Sequence, residues 1–132
     1  MVTILVVDDS EFFRQMYSAA LIKAGFNVEL ASDGQEAIDK MRAVHPRLVF
    51  MDLVMPNLTG AEALAQMKQD PEIKTTPVVM LTSISAEIKG EDLLMQGAVA
   101  YLVKDDTKPE DVSKLAAELL GTADAPLDPT AA

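Results

Sequence analysis

Carboxylates, a hydroxyl and an ammonium stand at the ends of four apolar runs. Thr3 to Val7 leads into Asp8-Asp9, Leu48 to Met51 into Asp52, Val78 to Leu81 into Thr82, and Val99 to Val103 into Lys104. If these runs are parallel strands of one sheet, all four ends share the carboxyl edge, where open α/β sheets bind their ligands. Three carboxylates brought together repel one another at short range unless a cation sits among them. Mg²⁺ takes oxygen ligands and keeps several waters, so one or two carboxylates and a backbone carbonyl would suffice. A lysine ending an interior strand needs a partner, and a carboxylate or a phosphoryl oxygen is its natural one. The set is suited to holding a divalent metal beside a phosphoryl group. Each residue alone has a plainer reading: an acidic pair caps a helix, Asp52 opens a turn, and Thr82 satisfies a loop amide. Their coincidence at matching strand ends is what points to a site.

Elements that could position these residues are legible along the chain. Strand-like and helix-like segments alternate five times with short connections, which predicts βα repeats around a parallel sheet. The solidly apolar strands suit a sheet covered on both faces, whereas Val28-Glu29-Leu30 alternates and reads as an edge strand. Ser10 is placed to cap a first helix with Phe13, Met16, Ala20 and Ala24 at helical spacing, stopped by Gly25. Asp33 with Glu36 opens a second helix burying Ala37, Met41 and Val44. Thr59 with Glu62 forms a capping box for a third, whose inner face carries Ala63, Leu64 and Met67. Ile84, Ile88 and Leu94 mark a fourth, with Gly90 in its middle at a cost of about 1 kcal/mol. Thr107 with Glu110 caps a fifth, with Pro109 in its first turn and Val112, Leu115, Ala116 and Leu119 inward. Residues 1–121 are therefore expected to form one domain. Thr122 to Ala132, rich in Ala, Asp, Pro and Thr, is expected to be a flexible tail.

Bulk properties narrow the function. The chain of 132 residues is about half apolar, enough for one real core. Its apolar runs fall short of the roughly 20 residues a membrane span needs. No basic stretch or cleavage site precedes the first strand, and there is no cysteine, so a cytoplasmic protein without thiol chemistry is expected. A net charge of −10 with scattered Lys and Arg argues against direct nucleic-acid binding. His45 stands alone beside Pro46 and reads as a solvated loop residue, and the eight methionines read as core filler. Phe12 and Phe13 fall next to the acidic pair, one to pack and the other to border the pocket.

Val6-Val7-Asp8-Asp9-Ser10, Met51-Asp52-Leu53-Val54-Met55-Pro56 with Gly60, Leu81-Thr82-Ser83 and Tyr101-Leu102-Val103-Lys104 together resemble the receiver domain of bacterial two-component response regulators. Ala31 to Ala37 resembles that family's entry to the second helix, and the likeness runs from about residue 2 to 120. It implies an α/β, flavodoxin-like, doubly wound sheet of five parallel strands in the order 2-1-3-4-5, with five helices. It also implies that Asp52 is the phosphoacceptor, attacking a phosphohistidine on a sensor histidine kinase or phosphotransfer protein. Asp8, Asp9, Asp52 and the backbone carbonyl of Val54 would hold Mg²⁺, for which Mn²⁺ could substitute. Lys104 would grip one phosphoryl oxygen, and Thr82 with the Ser83 amide another. Thr82 and Tyr101 would be the switch, altering the face made by the fourth helix, fifth strand and fifth helix, where a downstream protein docks. The implied protein is a single-domain regulator, a monomer or a dimer promoted by phosphorylation. It is a phosphoacceptor with slow hydrolysis at most, and not an enzyme in the usual sense. Two other readings remain: the receiver portion of a longer regulator, and an aspartate-dependent phosphatase. The latter would call for an Asp-x-Asp pair rather than adjacent acids. A flavin carrier of similar fold would want a Ser/Thr/Gly-rich phosphate loop where Asp8 to Phe13 stands.

The sequence departs from the pattern in two ways. Asp105 follows Lys104 where the family usually has proline, often in a cis bond. A non-proline cis bond costs about 2.5–4 kcal/mol, so this bond is expected to be trans. Asp105 is then placed to compete with a phosphoryl group for Lys104. Val54 and Ile84 also occupy positions where rapid hydrolysers carry polar side chains, and neither can orient a water. A long-lived phosphoryl state is expected.

Overall fold

The structure is a computed structural model that describes residues 2–83, 86 and 88–121. Five parallel strands, β1 (Thr3–Val7), β2 (Asn27–Ala31), β3 (Leu48–Asp52), β4 (Val78–Thr82) and β5 (Ala100–Val103), form one sheet in the order β2-β1-β3-β4-β5. Between and after them run α1 (Glu11–Lys23), α2 (Gly34–Val44), α3 (Gly60–Lys68), α4 (Gly90–Met95) and α5 (Pro109–Leu120). This is the expected fold class and strand order. β2 lies at one edge, as its alternating sequence predicts, and β5 at the other. Thr122 to Ala132, read as a tail, and Ile84, read as the start of the fourth helix, lie outside the described residues.

Neighbouring strand residues point to opposite faces, so the apolar runs supply two cores at once. Leu5, Val7, Val49, Met51, Val78 and Met80 pack under α2 and α3 with Ile38, Met41, Leu64 and Met67. Ile4, Val6, Leu48, Phe50, Val79 and Leu81 pack under α1 and α5 with Tyr17, Leu21, Val112 and Ala116. β3 and β4 are buried along their whole length. They are the rigid centre from which Asp52 and Thr82 project.

The helix caps agree with expectation at Ser10, Asp33 and Thr59, whose side chains accept from the Phe13, Glu36 and Glu62 amides respectively. Elsewhere the inner faces differ. On α1 the buried residues are Tyr17, Ser18 and Leu21, while Phe13, Met16 and Ala20 are half-buried and Ala24 is exposed. Ile38 takes the core place expected of Val44, and Leu120 that of Leu119; both displaced residues are substantially exposed. Gly90 is the first residue of α4 rather than its middle, so the interior-glycine cost does not arise, and Leu93 rather than Leu94 is buried. α5 is capped at Lys108, whose N–H donates to the Asp111 carboxylate at 2.8 Å. Thr107 instead donates its hydroxyl to the Val103 carbonyl at 2.6 Å, because the chain makes a 3₁₀ turn over Lys104–Asp106 first. Val99 precedes β5 and is half exposed.

Gly60 fixes how α3 meets the site. Its N–H donates to the Leu53 carbonyl at 2.8 Å, and a β-carbon there would strike the Asp52 carbonyl and the Leu53 backbone. Gly60→Ala is expected to cost about 2–3 kcal/mol in urea denaturation, since backbone cannot yield as a side-chain end can. An unchanged midpoint would show that α3 can ride away from β3.

Candidate functional site

Adjacent residues leaving an extended strand point in opposite directions, which splits the acidic pair after β1. Asp8 is wholly buried and Asp9 is exposed. Asp8 Oδ1 accepts from the Ser10 N–H at 2.9 Å, and its carbonyl accepts from the Arg14 guanidinium at 2.6 Å. The start of α1 thus anchors the end of β1. Asp52, the last residue of β3, is 7% exposed, and Thr82, the last of β4, is 4% exposed. Lys104 leaves β5 and turns its ammonium inward, to 2.7 Å from Asp8 Oδ2 and 3.6 Å from Asp52 Oδ2.

Asp8, Asp9 and Asp52 each present a carboxylate oxygen, and these atoms lie within 4.8 Å of one another. A cluster of hard oxygen donors with one exposed member fits Mg²⁺, which needs few protein ligands and retains waters. Its electrostatics call for a cation. Burial, together with the charges of Asp8 and Asp9, pushes the Asp52 carboxyl up to about 6, while Lys104 and the Val54 N–H pull it back. Val54 brings its backbone to Asp52 in this way, and its side chain is 66% exposed.

The loop after β3 is tied back to α2. Asn57, in the left-handed region at φ 68°, donates its side-chain amide to Asp33 Oδ2 at 3.4 Å. Met55 is buried beside it. On the other side of Asp52, the Thr82 hydroxyl donates to the Leu102 carbonyl across a long 3.5 Å contact. Ser83 follows, half-buried. Tyr101, paired in register with Met80, is half-buried and lays its ring against Gly90, where any β-carbon would collide with it. Glycine at the start of α4 is what makes room for that ring.

The structure therefore brings together Asp8, Asp9, Asp52, Lys104 and Thr82, and seats Tyr101 between β4 and α4. The Lys104–Asp105 bond is trans as expected. Asp105 is exposed, and the Lys104 ammonium lies within ion-pair distance of Asp8 and Asp52. The 3₁₀ turn carries Asp105 outward. His45 lies on the surface, 3.8 Å from Glu72, and is not part of the acidic group of Asp8, Asp9 and Asp52.

Two residues escaped the sequence reading. Phe13, expected only to pack or to border the pocket, places its ring centroid 4.0 Å from the Lys104 ammonium. It stacks in turn on Tyr17, with centroids 5.8 Å apart and planes 25° from parallel. Tyr17 is wholly buried, its hydroxyl without a hydrogen-bond partner among the described residues. Burial and the nearby Asp8 and Asp52 push that phenol up to about 12. The usable signal was position: both residues fall in the first two turns of the helix after Asp9, directly over the strand ends.

Known proteins resemble this chain in sequence and fold. The chain matches the response regulator receiver domain over residues 4–117. It is 35% identical to Protein PilG of Pseudomonas aeruginosa over 107 residues, 81% of this chain and 79% of PilG. It is 33% identical to the regulatory protein AtoC of Escherichia coli over 112 residues, 85% of this chain but only 23% of that protein. Among solved structures, the chemotaxis response regulator CheY4 of Vibrio cholerae superposes with a TM-score of 0.81 at 36% identity, covering 91% of this chain and 99% of that one. With the strand order, the acidic cluster and the lysine already in place, these matches settle the family: the chain belongs to the response regulator receiver domains, the signalling modules of phosphorelays.

Proposed function

We propose that the protein is a single-domain response regulator whose Asp52 accepts a phosphoryl group from a histidine kinase or phosphotransfer protein. The observation that carries this is the convergence on Asp52 of two further carboxylates and an ammonium, 3.6 Å away, at the mouth of a parallel sheet. In the step, a carboxylate oxygen of Asp52 attacks the phosphorus of a phosphohistidine. The new O–P bond forms as the P–N bond breaks, and the electron pair leaves with the imidazole nitrogen, which is protonated from solvent. Asp8, Asp9, Asp52 and the Val54 carbonyl would hold Mg²⁺, or Mn²⁺ in its place, which when bound offsets the charge of the incoming phosphoryl oxygens. Lys104 reaches a phosphoryl oxygen with a small movement from Asp52, and the Thr82 hydroxyl and Ser83 amide take another.

The loose Thr82 contact supports a switching role. A hydroxyl held at 3.5 Å costs little to release when about two negative charges arrive beside it. Its withdrawal leaves room next to Tyr101, and the output face of α4, β5 and α5 shifts with that ring. Leu94, Met95, Val99 and Leu119 are exposed there, an apolar surface for a downstream protein or a second copy. The acidic charge disfavours nucleic acid as a direct partner. Among the described residues no helix is long and apolar enough to cross a membrane, and a cytoplasmic role fits. Val54 offers no group to orient an attacking water, so hydrolysis is slow.

The spans of the relatives favour a second reading in part: AtoC and others are several times longer than this chain, so it could serve as the receiver of a larger regulator. The site chemistry is the same in either setting. Intact mass after incubation with acetyl phosphate should show one added phosphoryl group that requires both Mg²⁺ and Asp52 and decays over many minutes. An adduct retained in Asp52→Asn, or formed equally in chelator, would refute the assignment.

A further inference from the structure

We propose that Phe13 is a positioning residue for Lys104, holding the ammonium over its ring so that it stays aimed at the Asp52 side of the site whatever charge the carboxylates carry. This rests on Lys104 acting on the phosphoryl group, as proposed above. Among the described residues the ammonium has three close partners: Asp8 at 2.7 Å, Asp52 at 3.6 Å and the Phe13 ring at 4.0 Å. Two of them change during the reaction. Asp8 shares its charge with a bound cation, and Asp52 becomes an acyl phosphate. The ring face attracts a cation through its quadrupole, and neither metal nor phosphoryl group alters that.

The ring itself is held. Phe13 is half-buried on the first turn of α1, whose cap Ser10 accepts from the Phe13 N–H. The ring also stacks on Tyr17, which is wholly buried in the same core cluster as Ile4, Val6, Leu21 and Phe50. Phe12 meets it edge-on at 5.4 Å. A lysine side chain is a flexible four-carbon stem, and an aromatic floor limits where its head can go. The side chain of Lys104 is only 15% exposed, so the contact is largely shielded from water, where such attraction is strongest.

Two measurements test this. In the full chain labelled with ¹³C-lysine, the ε-protons of Lys104 should resonate upfield of the other lysines because they lie over a ring face. They should remain there when Mg²⁺ and beryllofluoride, an acyl-phosphate mimic, are added. An unshifted resonance in the wild type, or loss of the shift with beryllofluoride, overturns the proposal without any variant. In Phe13→Leu the upfield shift should vanish and phosphorylation by acetyl phosphate should slow about five-fold. The Mg²⁺ concentration for half-maximal rate should stay the same, because the carboxylates are untouched. Phe13→Tyr should restore most of the rate. A merely structural role for Phe13 would weaken Mg²⁺ binding and rate together, and that result would overturn the proposal. Lys104→Met separates the two layers. If it forms adduct at the wild-type rate, the phosphoryl role of Lys104 is wrong. If it is slow while Phe13→Leu is normal, only the positioning role fails.

Discussion

Lys104→Met is expected to destabilise the metal-free protein by about 3 kcal/mol, and Mg²⁺ is expected to return most of that loss. The reason lies in where Asp8 sits. Its carboxylate is wholly buried and its ion pair is with Lys104 at 2.7 Å. Removing one partner of a buried pair leaves the other charge uncompensated, which typically costs about 3–5 kcal/mol. Methionine keeps most of the lysine stem and so keeps the packing against Phe13, which isolates the electrostatic part. Asp52 would lose the charge that now pulls its carboxyl down, adding to the cost. A divalent cation bound by the folded state alone stabilises by mass action, and in the variant it would also supply the missing positive charge. Urea denaturation with and without Mg²⁺ measures both. A loss of equal size in the two conditions would mean that packing, not charge, is what Lys104 contributes.

Asp52→Asn is expected to do the reverse, stabilising the metal-free protein at neutral pH while abolishing phosphoryl transfer. The Asp52 carboxyl is pushed up to about 6 by burial and by Asp8 and Asp9, from an ordinary value of 3.8. The folded protein thus holds this proton more tightly than the unfolded chain does. The stability that follows is fully present below about 4, and is lost as pH rises through about 6. Wild-type protein in chelator should therefore weaken between these values by on the order of 2–3 kcal/mol from this group. Asparagine has no proton to lose, can still accept from the Val54 N–H, and should be more stable than wild type at pH 7.5 by a similar amount. It should also gain less from Mg²⁺, having one carboxylate fewer to offer. Denaturation midpoints at pH 4.5, 6.0 and 7.5 decide the matter: parallel profiles for variant and wild type would mean that Asp52 ionises without strain.

Both effects concern residues that were plain in the sequence, and that is physically reasonable. A strand buried on both faces can carry only apolar side chains, so the first polar residue after Val7, Met51 or Leu81 announces itself. What could not be read was which face each helix buries. α1 has Phe12, Phe13, Met16, Tyr17, Ala19, Ala20, Leu21 and Ile22, apolar residues nearly all the way round. Periodicity alone cannot choose between a stripe through Phe13 and Met16 and one through Tyr17 and Leu21. The outcome is set by how α1 packs on the sheet and α5, a tertiary matter, which buries Tyr17 and Leu21 with Ile4, Val6, Val112 and Ala116. Similar near-ties decided Ile38 over Val44 and Leu120 over Leu119. The unequal burial of Asp8 and Asp9 was in principle available, since adjacent strand residues must face opposite ways. Which carboxylate Lys104 pairs with was not, because three acids share the strand-end edge and only the folded geometry puts Asp8 nearest, at 2.7 Å.

That pairing has a kinetic side. Asp8 and Lys104 are 96 residues apart in sequence, and β5, which delivers the lysine, is an edge strand that docks on β4 alone. Bringing distant segments together must overcome loop-closure entropy before any contact rewards it. The crowded carboxylates and their counter-ion are therefore expected to meet near the end of folding, after the central strands have paired. Interactions formed that late govern how fast a native structure comes apart rather than how fast it forms. The charge balance of the site would then act as a latch on the lifetime of the folded state, and a bound metal, by closing that latch, would slow the loss of the β5 edge while leaving the route to the fold untouched.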